Sequence, residues 1–191
     1  MKALFPWILL AAMIAIAPSR AQAQSLPGDS VYQVDIHVTD QQGARHAWRD
    51  LRGRPAVVSM FYTQCHMMCP LILESAKSVS KQLSADERKR LDFAMLSLDP
   101  ANDTPQAMRE TAQRHRTPDG WRFLTPDAND VRAIASVLDI RYRARADGSI
   151  NHTSALVLID GDGRILARTE IASAVADPEF VAAVRKAITA P

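Results

Sequence analysis

Short apolar runs alternate with amphipathic segments along most of the chain. Residues 55–62 and 91–98 form apolar runs that contain β-branched and aromatic residues, which is typical of buried strands. Apolar positions then recur at helical spacing after the first run, from residue 70 to residue 83. After the second run, Thr104-Pro105 supplies an N-cap and a first-turn proline for a helix that reaches about His115.

Two hairpins and two further helices complete the predicted elements. Residues 31–38 and 45–48 flank a polar turn, which predicts an N-terminal hairpin. Residues 151–159 and 164–169 flank Asp160-Gly161-Asp162-Gly163, a strong hairpin signal. The remaining elements are a short strand at 121–124 and helices at 127–138 and 177–188. Together they predict a three-layer α/β domain around a central mixed sheet.

The first 23 residues have the pattern of a secretory signal. Lys2 precedes an apolar stretch at residues 4–17, and Ala21-Gln22-Ala23 stands before Gln24 as a cleavage site. The stretch is shorter than the ~20 residues that span a bilayer, so we expect no stable membrane anchor, although an uncleaved anchor is the alternative. The prediction is a signal peptide at 1–23, one domain at 24–191, and export to the periplasm.

Export also changes the charge balance. Loss of Lys2 and Arg20 leaves 21 basic residues against 21 acidic ones, so the mature chain is formally neutral. No basic block is interleaved with aromatic residues, and we therefore expect no nucleic-acid partner. The remaining length suits one domain with its own core, and the expected state is a monomer.

Both cysteines lie in one hexapeptide, Cys65-His66-Met67-Met68-Cys69-Pro70, between the first buried strand and its helix. Backbone N–H groups and the dipole at a helix start favour thiolate, which is both the nucleophile and the metal ligand. An exported protein commonly uses cysteines in structural disulfides. Here the loop would be very short, and helical i, i+4 spacing would hold the thiols too far apart unless the turn distorted. A soft-metal site, a redox dithiol and an incidental disulfide remain as interpretations.

The redox interpretation is weakened by spacing, because thioredoxin-like pairs have two intervening residues. In that interpretation Cys65 attacks a partner disulfide and Cys69 resolves it. The metal interpretation needs a further ligand, for which the candidates are His37, His46, His66, His115 and His152. His152 lies at the mouth of the apolar strand 155–159, but position alone still favours a surface histidine there.

Three segments together resemble a known family. They are Phe61-Tyr62-Thr63-Gln64-Cys65 with Cys69-Pro70, the run from Leu98 to Pro105, and Asn151-His152-Thr153-Ser154 before Asp160. Their order and spacing resemble the Sco/SenC family of copper-binding proteins with a thioredoxin fold. The resemblance extends from about Val31 to the C-terminus.

The resemblance implies a thioredoxin-like fold and a Cu(I) site made of Cys65, Cys69 and His152, with Cu(II) as an open alternative. It implies a periplasmic copper chaperone that assists copper-centre assembly in cytochrome c oxidase, with subunit II as the copper acceptor. The alternative is a thiol-disulfide reductase acting on the cysteines of such a partner, so whether the chain is an enzyme stays open. Asp99 and Asp103 match the family's acidic motif, although support of the next helix start would also explain Asp103.

The chain departs from the family between its cysteines. It has His66-Met67-Met68 where many members carry a Pro-Asp type of insert. Thioether and imidazole groups bind copper, so these three residues are additional candidate ligands. A methionine at a helix start is, however, more often a packing residue.

Overall fold

The structure, a computed structural model, describes residues 25–189. The predicted signal peptide at 1–23 lies outside the described residues. No helix between residues 25 and 189 is long and apolar enough to cross a membrane.

Between residues 25 and 189, nine strands form two sheets. They are β1 (His37–Asp40), β2 (Arg45–Ala47), β3 (Ala56–Phe61), β4 (Asp92–Ser97), β5 (Arg122–Pro126), β6 (Tyr142–Ala144), β7 (Ile150–His152), β8 (Ala155–Ile159) and β9 (Ile165–Glu170). The main sheet has the order β2-β1-β5-β4-β3-β8-β9, and β6 pairs only with β7. Strands β3, β4 and β5 are mutually parallel, whereas the other neighbours are antiparallel. The predicted mixed sheet is confirmed.

Helices cover both faces of this sheet. They are α1 (Met68–Lys81), α2 (Ala85–Arg88), α3 (Pro105–Arg114), α4 (Val131–Val137) and α5 (Pro178–Thr189). Because side chains alternate along a strand, Val57 of β3 joins the cluster that contains Ile72 of α1 and Phe180 of α5. Its neighbour Val58 joins the opposite cluster, which contains Ile134 of α4. The three-layer α/β architecture is therefore confirmed.

The N-terminal hairpin is shorter than predicted. The predicted strand at 31–38 begins with a 3₁₀ turn at Val31–Gln33, and β1 starts only at His37. The reason is local: the Ser30 hydroxyl accepts a 3.1 Å hydrogen bond from the Tyr32 amide, which caps the turn. Val31 and Tyr32 are both buried, so their apolar pair reflects packing of a turn and not strand alternation.

The predicted strand at 151–159 is wrong as one element. It is split between β7, which ends at His152, and β8, which begins at Ala155. The Thr153 amide donates to the Arg141 carbonyl at 2.9 Å, which draws this stretch toward the unpredicted strand β6. Ser59 of β3 donates its hydroxyl to the Ala155 carbonyl at 2.7 Å and fixes the start of β8. His152 consequently lies on a small hairpin beside the carboxyl end of β3.

The turn between β8 and β9 packs tightly on the N-terminal segment. Gly163 has φ +84°, and a Cβ there would lie 2.5 Å from Cδ2 of Tyr32 and 2.6 Å from the Ser30 hydroxyl oxygen. We expect Gly163→Ala to lower the free energy of unfolding through backbone strain and through this overlap. Urea denaturation at an unchanged m-value would measure the loss.

Gly120 provides the matched control. Its φ is +85°, but no atom lies within 4 Å of the position of its Cβ. Both alanine variants therefore carry the same backbone cost, and only Gly163→Ala carries the overlap. We expect Gly163→Ala to be the more destabilising by about 1–3 kcal/mol. Equal losses in the two variants would contradict the tight packing of this turn.

Candidate metal centre

The two cysteines lie where the parallel strands end. Strand β3 stops at Phe61, and the Cys65 amide donates to the Tyr62 carbonyl at 3.2 Å to close the turn that follows. Helix α1 starts at Met68, so Cys65 precedes the helix and Cys69 belongs to its first turn. The expectation that helical i, i+4 spacing separates the two thiols is therefore wrong. Both cysteines are free thiols.

The start of α1 stabilises a thiolate on Cys65. The Cys69 amide, one of the unpaired donors of the first helical turn, points at the Cys65 sulfur at 3.3 Å. The hydrogen bond from the Cys69 thiol lowers the pKa of Cys65 to about 3, with smaller contributions from His152 and from the backbone amides of Cys69 and Met67. The same bond, together with burial, raises the pKa of Cys69. The pair thus holds one negative charge on Cys65 and one proton on Cys69.

The His152 side chain lines the same cavity as Cys65 and lies close enough to contribute to the lowered pKa of that thiol. Its Nδ1 lies 3.1 Å from the Thr153 carbonyl oxygen, which can only accept, so Nδ1 carries the proton. In the neutral imidazole, Nε2 is then the unprotonated nitrogen. It is buried, and no described residue gives it a hydrogen-bond partner. A buried, unpartnered nitrogen beside a thiolate is the arrangement expected of a metal ligand whose orientation a neighbouring carbonyl fixes.

Tyr62 connects the strand that leads to the cysteines with the hairpin that carries His152. Its hydroxyl accepts a 3.2 Å hydrogen bond from the Ile150 amide of β7. Its ring meets the His152 ring edge-on, with the ring centroids 6.1 Å apart. No local sequence pattern marks Tyr62 as part of the site, because its hydrogen bond with Ile150 spans 88 residues of chain.

A cavity of about 220 Å³ opens onto the site, lined by Cys65, His152, Met67 and Met68 among others. Cys69 lies below it and is only 4% exposed. Within residues 25–189, no group of three or more His, Cys, Asp or Glu side chains is already arranged to hold a metal ion. The structure thus brings Cys65 next to each of the other two predicted ligands, but the three donors do not yet converge.

The donor set fits copper. Two cysteine sulfurs and one imidazole nitrogen are the soft and intermediate ligands that Cu(I) favours. The unpartnered Nε2 of His152 gives this fit a structural basis independent of the sequence motif. Cys69 has to lose its proton on binding, because only thiolate sulfur is a good ligand.

Asp103 supports the turn that leads to Cys65. This carboxylate is fully buried and accepts hydrogen bonds from the Thr63 amide at 2.9 Å, the Thr63 hydroxyl at 2.6 Å and the Ser97 hydroxyl at 2.5 Å. Capping of α3 falls instead to Thr104, whose hydroxyl accepts from the Ala107 amide. Asp103 therefore does not cap α3. It holds the turn before Cys65 in place through its hydrogen bonds with Thr63. Asp99 is partly exposed and accepts from the Asn102 side chain.

The other histidines lie apart from this arrangement. His66 is exposed, although it stands between the cysteines. His46 pairs with Asp40 in the N-terminal hairpin at 2.8 Å. His37 is exposed on β1, and His115 ends α3. None of these four lines the cavity with Cys65.

The fold and this site define a thioredoxin-like α/β protein with a thiolate–thiol pair at a helix start and an imidazole that lines the same cavity. The sequence model of the SCO1/SenC family matches residues 25–189, and the chain belongs to that family. The predicted resemblance is confirmed.

Three relatives place this assignment in context. A protein from Stutzerimonas stutzeri whose name refers to copper binding is 25% identical over 134 residues, which cover 68% of this chain and 65% of that protein. The copper-bound structure of Bradyrhizobium japonicum ScoI has a TM-score of 0.68 at 21% identity, covering 81% of this chain and 98% of its own. BsSco, described as a Sco-family cytochrome c oxidase assembly protein with a disulfide switch, has a TM-score of 0.69 at 21% identity, covering 83% and 94%. The two structural similarities confirm the thioredoxin-like fold.

Proposed function

We propose that this protein is a periplasmic copper chaperone that holds Cu(I) through Cys65, Cys69 and His152. The observation that carries the proposal is the buried Nε2 of His152, which has no partner among the described residues, in a side chain that lines the same cavity as Cys65. Cu(I) is the substrate, received from a donor and passed to an acceptor. Neutral imidazole and thiolate bind it with release of the Cys69 proton.

The acceptor we propose is subunit II of cytochrome c oxidase. The description of BsSco as a member of a family of cytochrome c oxidase assembly proteins supports this choice. Export, by the signal pattern at residues 1–23, would place the chaperone in the compartment where such a copper centre is assembled.

An anaerobic Cu(I) titration of the reduced protein against a chromophoric competitor tests the three-ligand site. We expect His152→Ala to weaken Cu(I) binding about 10- to 100-fold, since one of three ligands is lost while both thiols remain. His66→Ala is the matched control: it removes an exposed imidazole next to Cys65 and should leave the affinity unchanged. Wild-type affinity in His152→Ala would contradict the proposed site.

The low pKa of Cys65 favours thiol-disulfide reduction as a second candidate function. Cys65 thiolate would attack a partner disulfide, forming a mixed disulfide and releasing one partner thiolate. Cys69, once deprotonated, would attack the Cys65 sulfur and release the second partner thiolate. The partner gains two electrons, and the pair ends as a Cys65–Cys69 disulfide. This activity would need both cysteines but tolerate His152→Ala, which separates it from copper delivery in the same set of variants.

A further inference from the structure

Met67 is exposed to an unusual degree. Large apolar residues are exposed at four positions between residues 25 and 189, which are Met67, Ile165, Leu166 and Val175. Met67 is the most exposed of them, at 84%. Met108, by contrast, is fully buried in the core. Since methionine normally fills core gaps, the Met67 side chain is not there for packing.

Stability of the helix does not explain Met67 either. It occupies the N-cap position of α1, where Ser, Thr, Asp or Asn would accept a hydrogen bond from the first turn. Methionine makes no such bond here. The chain therefore carries a sulfur at this position at a cost in helix stability.

The position of Met67 places that sulfur at the entrance of the candidate metal centre. Met67 lines the same cavity as Cys65 and His152, whereas Cys69 lies beneath it and is almost inaccessible. An ion arriving from solvent thus meets Met67, Cys65 and His152 before it meets Cys69. Met68, one residue further, is half-buried at the wall of the same cavity.

Thioether chemistry suits a temporary ligand. The sulfur of methionine is neutral, needs no deprotonation and prefers soft Cu(I) over harder ions. Its bond to copper carries no charge attraction, unlike that of a thiolate, so the ion can leave it for Cys69. The ligand exchange would break the Cu–thioether bond, form one bond to the Cys69 thiolate and one to the His152 imidazole, and release the Cys69 proton to solvent. The copper stays Cu(I) throughout.

We propose that Met67 is a capture ligand, which holds incoming Cu(I) together with Cys65 before the ion moves to its site between Cys65, Cys69 and His152. This inference rests on the proposed copper function and adds an entry step to it. Loss of the Met67 sulfur should therefore slow copper loading without changing the final affinity, because Met67 does not belong to the final ligand set.

Loading kinetics test the capture step. The reduced protein is mixed anaerobically with the Cu(I) complex of bicinchoninate, and the loss of the complex is followed by stopped-flow absorbance. We expect Met67→Leu, which keeps the size of the side chain but removes its sulfur, to load about tenfold more slowly. The equilibrium affinity of the variant should equal that of the wild type. Val175→Ala, at another exposed apolar position, controls for general surface effects and should load at the wild-type rate.

A spectroscopic measurement addresses the capture ligands directly. In Cys69→Ser the final site cannot form, so Cu(I) should remain with Cys65 and Met67. X-ray absorption should then report two sulfur ligands in Cys69→Ser and one in Cys69→Ser/Met67→Leu. An identical sulfur count in both proteins would overturn the capture role.

The possible outcomes distinguish a failure of the capture role from a failure of the proposed copper-chaperone function. Slower loading with unchanged affinity in Met67→Leu supports capture. A wild-type rate in Met67→Leu overturns capture and leaves the chaperone proposal standing, because it shows that an apolar side chain of the same size is sufficient. A wild-type protein that takes no Cu(I) at equilibrium overturns both.

Discussion

Replacing Cys65 with serine is expected to remove high-affinity Cu(I) binding together with the most acidic thiol of the protein. Cys65 is the proposed ligand that lies next to both Cys69 and His152. Without the Cys65 sulfur, the remaining donors are the buried, protonated thiol of Cys69 and the imidazole of His152, and no ligand lies next to both of them. We expect the affinity to fall by about 100-fold or more in the competitor titration. Wild-type affinity in Cys65→Ser would exclude Cys65 from the site.

Alkylation by iodoacetamide gives the same variant a readout that needs no metal. An ordinary thiol reacts about tenfold faster for each unit of pH between 5 and 8, because its thiolate fraction rises. Cys65, with a pKa of about 3, is already a thiolate throughout that range, so its rate should be flat. The absolute rate need not be high, since nucleophilicity falls as the pKa falls. The pH profile, and not the speed, is the signature.

Cys69→Ser is the matched control for this profile. Serine retains a hydroxyl donor and the backbone amide that lies 3.3 Å from the Cys65 sulfur. Cys65 should therefore keep its flat profile in Cys69→Ser, while Cys65→Ser should show only the slow reaction of a buried thiol. A rate in Cys69→Ser that rises steeply with pH would mean that the Cys69 thiol alone holds the Cys65 thiolate.

Local sequence patterns predicted the core strands well. Residues 55–62 and 91–98 are nearly continuous apolar runs, and they became β3 and β4, which are buried on both faces. The apolar pattern gave the wrong element at the start of residues 31–38, where a Ser30 cap and two consecutive buried residues produce a turn before the strand begins. It failed again at residue 153, because the pairing of β7 with β6 depends on residues six to ten positions earlier in the chain.

The residues of the candidate site also fall into two groups: those that a local motif reveals and those that only the folded chain brings together. Both cysteines stand in one hexapeptide, so a single local motif reveals the thiol chemistry. Nothing local marks His152 as a ligand, and its selection came from resemblance to a family. Asp103 is 40 residues from Thr63, and its contacts with the turn before Cys65 exist only in the folded chain. Long-range contacts of this kind leave no periodic signal in a sequence.

Asp103→Ala is expected to be among the most destabilising single changes near the site. It removes the acceptor of three hydrogen bonds and leaves the Thr63 amide and the buried Ser97 hydroxyl without their partner. Buried polar groups left unsatisfied cost about 1–3 kcal/mol each. We expect a loss of about 3 kcal/mol or more in the free energy of unfolding, measured by urea denaturation.

Asp103→Asn separates hydrogen bonding from charge. One amide oxygen can still accept from the Thr63 amide and hydroxyl, so the loss should be smaller than in the alanine variant. In Asp103→Asn an NH₂ group replaces the oxygen that accepts from the Ser97 hydroxyl, so this hydroxyl loses its acceptor. It still accepts from the Asp99 amide. Equal losses in the alanine and asparagine variants would show that the hydrogen bonds to Thr63 contribute nothing.

The difference in stability between the wild type and Asp103→Asn should depend on pH with a definite sign. Burial raises the pKa of Asp103, against the opposing effect of hydrogen bonds from Ser97 and Thr63. A carboxyl group whose pKa is raised by folding binds its proton more tightly in the folded state. Its contribution to stability is therefore present below the unfolded pKa and is lost as the pH rises through the folded pKa. Asparagine has no such proton, so the stability advantage of the wild type over Asp103→Asn should shrink as the pH rises above about 4, the ordinary pKa of an aspartate. An advantage that grows above this pH would mean that the buried carboxylate, and not the carboxylic acid, is the form that folding favours.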